Sequence, residues 1–197
     1  MTQADVAQAE VPLATPPTRL HAPAGGRLRA VVDAEYDALW RTLRRLGVES
    51  ASVEDAAQQV LLVFARRLDD VPPGSEHSFL VGAAVRVASD HRRKQARSRE
   101  VHDDGAIDEA RASAPDAEEL LGATRARELL DRALGELSAE LRAVFVLFEF
   151  EQMTMAAIAD TLGLPRGTVA SRLRRAREAF EGIAKELQAK ISARSGA

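Results

Sequence analysis

The chain has 197 residues, of which 46% are hydrophobic but only 4% aromatic, and its net charge is −3. Such a core must be mostly Ala, Leu and Val; Ala and Leu are strong helix formers, and the alternating β-branched and aromatic pattern of strands is missing, so the expected fold class is all-α. The absence of cysteine excludes disulfides, thiolate metal sites and cysteine nucleophiles, and favours a reducing compartment.

The start, "MTQADVAQAEVPLATPPTRL", lacks the basic opening and unbroken apolar run of a signal peptide, and no stretch is apolar enough to span a bilayer. The expectation is a soluble, cytoplasmic protein. Pro12, Pro16, Pro17 and Pro23 mark residues 1–24 as a disordered tail, with Gly25-Gly26 following. A first helix is expected over Arg27 to Leu46, ended by Gly47. Ser52 then opens a second helix in a variant capping box. Ala57, Val60, Leu61, Phe64 and Leu68 recur at helical spacing and face a core. Leu62 and Val63 fall on other faces, either covered by the first helix or part of a docking surface.

"DDVPPGSEHS", Asp69 to Ser78, breaks the helical pattern at Pro72-Pro73-Gly74. A third helix follows over about Glu76 to Ser98, apolar in its first half and basic in its second, "DHRRKQARSR". One end should be buried while the other projects towards something anionic. Residues 101–121 turn acidic and carry Gly105 and Pro115, so they read as a linker, with a new helix starting near Asp116. A helix through Arg125 to Leu137 follows, then one over Ala139 to Glu149 capped by Ser138.

"MTMAAIADTLGLPRGTVASRLRRARE" has the layout of a helix-turn-helix. Thr154 caps Met155 to Leu162, Gly163 supplies the turn, Leu164 plugs the angle, and Pro165 suits the next helix start. At about 100° per residue, Val169, Leu173, Ala176 and Phe180 form one narrow apolar stripe. Ser171 and Arg175 lie on the far side, with Ala170 and Arg174 beside them. The arginines are therefore free to meet a polyanion. A major groove accepts one helix, and Arg bonds guanine with two hydrogen bonds. Ala170, Ser171, Arg174 and Arg175 are assigned to base edges; Arg166, Thr168, Arg172 and Arg177 are placed for phosphates. The competing explanation is a solvated face, or ion pairing with Glu149, Glu151 or Glu178.

"LSAELRAVFVLFEFEQMTMAAIADTLGLPRGTVASRLRRARE" resembles region 4 of bacterial RNA polymerase sigma factors, in particular the extracytoplasmic-function (ECF, group IV) class of the sigma-70 family. Ile158-Ala159, Pro165, Gly167-Thr168-Val169, Ser171-Arg172-Leu173 and Arg175-Ala176-Arg177 carry the match. "VEDAAQQVLLVFARRL" and "FLVGAAVRVASDHRRK" resemble region 2, although Phe79 stands at a usual Trp and Arg86 at a usual Asn. The layout implied is a tail over 1–24, region 2 over 25–100, the linker, region 4 over 122–190 and a tail over 191–197.

The resemblance implies a factor that directs core polymerase to promoters and helps melt them. The second helix would dock on the β′ clamp helices through Gln58, Gln59, Leu62 and Arg66, and the polymerase β flap is a second expected contact. The loop after it would capture a flipped −10 base, with Ser75, His77 and Phe79 as candidates. His91, Arg92, Arg93, Lys94 and Arg97 would follow phosphates near the −10 element, and region 4 would read the −35 element. Partners are core polymerase, promoter DNA and, as a further candidate, an anti-sigma factor; no cofactor, metal, membrane insertion or catalytic residue is expected. The rival readings are a stand-alone helix-turn-helix regulator, argued against by a short last helix and no ligand pocket, and an enzyme. Against the latter, no P-loop, dinucleotide fingerprint or nucleophile constellation occurs, and His21, His77, His91 and His102 are scattered.

Overall fold

A computed structural model of the chain describes residues 24–101 and 119–195. Most of the sequence-read N-terminal tail and linker, with His21 and His102, lies outside the described residues. The described residues form seven α-helices: α1 (Ala24–Arg45), α2 (Val53–Arg66), α3 (Glu76–Val101), α4 (Glu119–Glu136), α5 (Ala139–Glu149), α6 (Met155–Leu162) and α7 (Arg166–Ser195). Two 3-10 turns, Ser50–Ser52 and Leu68–Asp70, flank α2.

Several helix ends follow from local chemistry. Gly47 takes φ 93°, a left-handed stop after α1. The Ser138 hydroxyl accepts from the Leu141 N–H at the start of α5, and the Thr154 hydroxyl accepts from the Ala157 N–H at 3.2 Å to cap α6. Ser52 departs from expectation: its side chain makes no capping bond, because a 3-10 turn already leads the backbone into α2. The first helix starts three residues earlier than its sequence suggested and includes Gly25 and Gly26. The last is not short, for α7 runs 30 residues and takes residues 191–195 into the helix. Phe180 stacks on Phe145 at 4.8 Å, and Ile183 packs on the core beyond it, which carries the helix past its basic stretch.

Helices α1 to α3 form one module and α4 to α7 the other, but their cores are not separate. One cluster joins Leu43, Val60, Phe64 and Ala84 of the first module to Leu134, Phe145, Val146 and Ala176 of the second. A second cluster, around Val144, Leu147, Ile158, Val169 and Leu173, takes in Val81 from α3. Helix α5 lies at the centre, and six consecutive residues, Arg142 to Leu147, are buried. A helix buried on all sides is one wrapped by neighbours, here from both modules.

Polar contacts close the same seam. The Thr42 hydroxyl, buried on α1, donates to the Glu151 carboxylate at 2.6 Å. Arg44 pairs with Asp131 at 3.8 Å, and Arg45 lies 4.2 Å over the Phe150 ring. Arg142 donates from Nη2 to the carbonyls of Gly135 and Leu137, satisfying the otherwise open end of α4. A β-carbon at Gly47 would coincide with the Arg142 guanidinium. Gly47→Ala is therefore expected to lose at least about 1–2 kcal/mol from the left-handed φ alone, with the clash added, as a lower urea midpoint for the full chain.

Candidate nucleic-acid interface

The helix-turn-helix has the geometry its sequence implies. Gly163 sits at φ 64° between α6 and α7, and the N–H groups of Thr168 and Val169 both bond the Pro165 carbonyl as α7 begins. Leu164 is partly buried against the second cluster. Along α7, Val169 and Ala176 are wholly buried and Leu173 is 2% exposed. The opposite side carries Ala170, Arg174 and Arg175, all exposed, with Ser171 half-buried.

The arginines differ in what they already touch. Arg172 pairs with Glu140 at 2.6 Å, Arg174 with Glu178 at 2.8 Å and Arg177 with Glu149 at 2.6 Å. Arg177 also lies 5.0 Å from the Phe148 ring. Mutual repulsion is thus weaker than α7 alone suggests, because acids from α5 and from one turn further along α7 answer three of the charges. Glu149 and Glu178 are partners the sequence offered; Glu140 was not anticipated, and Glu151 turns to the inter-module seam instead. Among the described residues Arg166 and Arg175 meet no carboxylate, and Arg175 reaches only the Ser171 carbonyl, at 3.4 Å. Exposed ion pairs contribute about 0–1 kcal/mol, so the paired arginines are cheap to redirect towards phosphate.

On the first module, Gln58, Gln59, Leu62 and Arg66 are all exposed on α2. Leu62 is 56% and Val63 39% exposed, so α1 covers neither. The break expected over Asp69 to Ser78 is shorter than its sequence suggested: the Leu68–Asp70 turn and the first turn of α3 leave only residues 71–75 of it outside helices. Ser75 is exposed there, and its carbonyl accepts from the Phe79 N–H. His77 and Phe79 belong to α3. Phe79 packs on Phe64 with ring centroids 5.8 Å apart, and His77 lies 2.9 Å from Glu35 and 3.6 Å from Glu151. Further along α3, Arg93, Lys94 and Arg97 are exposed, whereas His91 and Arg92 are half-buried. Arg92 lies beside Gly47 and faces Arg142 across the seam. The candidates are thus split: three basic side chains are open to solvent, while His77 and Arg92 face the second module.

Sequence reasoning missed Thr42, Glu151 and Arg142 as seam residues. Arg142 carried a signal, since it leads the apolar run "RAVFVLF", where a lone charge must find acceptors. Among the described residues no group of His, Asp and Glu could hold a metal ion, and no helix is long and apolar enough to cross a membrane.

Comparison with known proteins agrees with this layout. Residues 31–98 match the family described as Sigma-70 region 2, and residues 127–180 match Sigma-70, region 4. The chain is 32% identical over 162 residues to the ECF RNA polymerase sigma factor SigL of Mycobacterium tuberculosis, covering 81% of this chain and 90% of that protein. It is 29% identical over 148 residues to the ECF RNA polymerase sigma factor SigE of Mycolicibacterium smegmatis, covering 75% and 58%. Two solved structures share the fold. CnrH in complex with the cytosolic domain of CnrY matches with a TM-score of 0.59 at 21% identity, over 83% of this chain and 92% of that one. The sigma factor RpoE of Bartonella quintana, in complex with the anti-sigma factor NepR, matches with a TM-score of 0.60 at 22% identity, over 81% and 97%. Read with the outward arginines of α7 and the exposed leucine of α2, these matches place the chain in the ECF class of sigma-70 RNA polymerase sigma factors.

Proposed function

We propose that the chain binds core RNA polymerase and directs it to promoters, with α7 reading the −35 element and the first module engaging polymerase and the −10 element. The observation that carries this is the division of α7, whose apolar edge is sealed in the core while Arg174 and Arg175 face outward. A helix held from behind and charged in front can enter a major groove without giving up its packing. Ala170, Ser171, Arg174 and Arg175 are assigned to bases, and Arg166, Thr168, Arg172 and Arg177 to phosphates.

The first module supplies Gln58, Gln59, Leu62 and Arg66 for polymerase, with Ser75, Arg93, Lys94 and Arg97 open to promoter DNA. For His77 and Arg92 to join them, the seam with the second module must part, and for Phe79 to stack on a base it must leave Phe64. Polymerase is the natural agent of the first change: it holds two modules at promoter spacing, and two weak contacts then act as one strong contact. An anti-sigma factor is a further partner in this reading, by analogy with the RpoE structure that carries NepR. A stand-alone regulator would need to bind its operator without polymerase, and the exposed Leu62 and Val63 on α2 have no use in that reading.

Transcription in vitro with core polymerase, followed by mapping of start sites, tests the proposal. The expected result is initiation dependent on this chain, with a shared hexamer-like element about one helical turn or more upstream of the melted region. Absence of any chain-dependent start, alongside binding to a palindrome by the free protein, would favour the stand-alone reading. Arg177→Ala is expected to weaken duplex binding evenly across sequences and to lower the salt slope by about 1, read from titrations at several salt concentrations.

A further inference from the structure

We propose that the cleft between the two modules binds a small phosphate-bearing anion, held between Arg92 of α3 and Arg142 of α5. The cleft has a volume of ≈ 440 Å³, and Arg44, Arg45, Arg92 and Arg142 all line it. Two acids stand at its wall. Asp131 is occupied by Arg44, at 3.8 Å, and Glu49 has an interaction of its own. Arg92 and Arg142 meet no carboxylate among the described residues.

Their donors are nonetheless buried. Arg142 is only 9% exposed, and the Nε atoms of both Arg92 and Arg142 are buried without a hydrogen-bond partner. Nη2 of Arg142 is committed to two α4 carbonyls, which carry no full charge. Two guanidinium groups thus share one glycine-floored space: a β-carbon at Gly47 would meet the Arg142 guanidinium and lie 3.6 Å from Cδ of Arg92. Burial, and after it the nearby charge of Arg92, brings the Arg142 guanidinium down to about 10. Burial, then Arg93, lowers Arg92 as well. Buried cations normally carry a charged partner; here Arg142 has only neutral carbonyls, and both side chains line the cleft.

The missing partner is identified by its chemistry. Planar guanidinium groups suit tetrahedral oxyanions: Arg92 can offer a pair of parallel N–H bonds, while Arg142, whose Nη2 is committed to the α4 carbonyls, adds its Nη1. A single chloride offers no such pair of acceptors. The volume admits an anion larger than one phosphate, such as a diphosphate or the phosphate end of a nucleotide. Because Arg92 and Arg142 come from different modules, the anion would bridge them and hold the closed arrangement. This site is separate from the outward face of α7; it shares Arg92 with the promoter reading, which gives that residue to DNA only once the seam parts, whereas the anion is held in the closed arrangement.

Calorimetric titration of the full chain with inorganic phosphate, pyrophosphate and ATP, at ionic strength held constant with chloride, tests the site. The expected result is saturable one-to-one binding at or below about 1 mM for at least one of the three. Arg92→Gln should weaken it about ten-fold or more, and Arg92→Lys, which keeps the charge but loses the fork, should weaken it by less. Arg29→Gln, on exposed α1 surface away from the cleft, should leave it unchanged. Equal affinity in Arg92→Gln and wild type, or no saturable binding by any of the three, overturns the assignment. So does displacement of the bound anion by random duplex DNA, which would make the donors part of a nucleic-acid backbone contact. The readout is binding alone, so its failure leaves promoter recognition standing.

Discussion

Leu62→Glu is expected to abolish capture by core RNA polymerase while the chain stays folded. Helix α2 is anchored through Val53, Ala56, Ala57, Val60 and Phe64, each 1% exposed or less. Leu62 is on another face and 56% exposed, so the fold does not need it. A large aliphatic side chain left in water beside Gln58, Gln59 and Arg66 is what a docking surface requires of its centre. Burying a leucine at an interface contributes about 1.5–3 kcal/mol, and a glutamate there adds an unpaired, desolvated charge costing several more. The sum exceeds about 4 kcal/mol, or roughly a thousand-fold in affinity. Co-purification with core polymerase and a direct titration measure it. Thermal unfolding of the free variant should stay within about 0.5 kcal/mol of wild type. A variant that still co-purifies at wild-type yield removes α2 from the polymerase contact.

The parts of this fold that sequence reveals are those decided within a few residues. Gly163 must turn left-handed, Thr154 and Ser138 must cap, and the spacing of Val169, Leu173 and Ala176 seals one edge of α7; all four features stand as their local chemistry requires. Ser52 shows how narrowly such reasoning holds. Its box is a variant with Asp55 in the fourth place, and one 3-10 turn upstream changes the backbone approach, so the hydroxyl bonds nothing as a cap. The seam between modules is of another kind. Thr42 and Glu151 are 109 positions apart, and neither shows periodicity or local partner that would bring them to 2.6 Å. The same holds for Arg172 and Glu140, whereas Glu149 is a candidate partner that Arg177 does take, so charge on α7 is in part answered from α5. Residue type and outward direction were legible; which face another helix would cover was not. That limit separates Arg93, Lys94 and Arg97, which remain open, from Arg92, which chemistry alone placed with them.

Arg175→Ala is expected to cost about 1–3 kcal/mol in binding to the cognate −35 duplex, and to lose discrimination at one base pair rather than at all. Arg175 is the best base-reading candidate for a reason the pairing pattern supplies. Arg174 must first release Glu178, Arg172 must release Glu140, and Arg177 is held by both Glu149 and the Phe148 ring. Arg175 has only a long bond to the Ser171 carbonyl to surrender. It can therefore extend both prongs to a guanine edge with little reorganisation, and leaving that edge unmet is costly once water has been expelled. Titrating wild type and variant against the cognate duplex and its single-base substitutions, at one fixed salt concentration, separates the contacts. A base contact flattens the preference at its own position and leaves the other positions graded as before. A phosphate contact lowers every curve by the same factor. If Arg175→Ala gives the second pattern while Arg174→Ala gives the first, the reading head of α7 lies one residue earlier, and the Arg174–Glu178 pair is broken on binding instead.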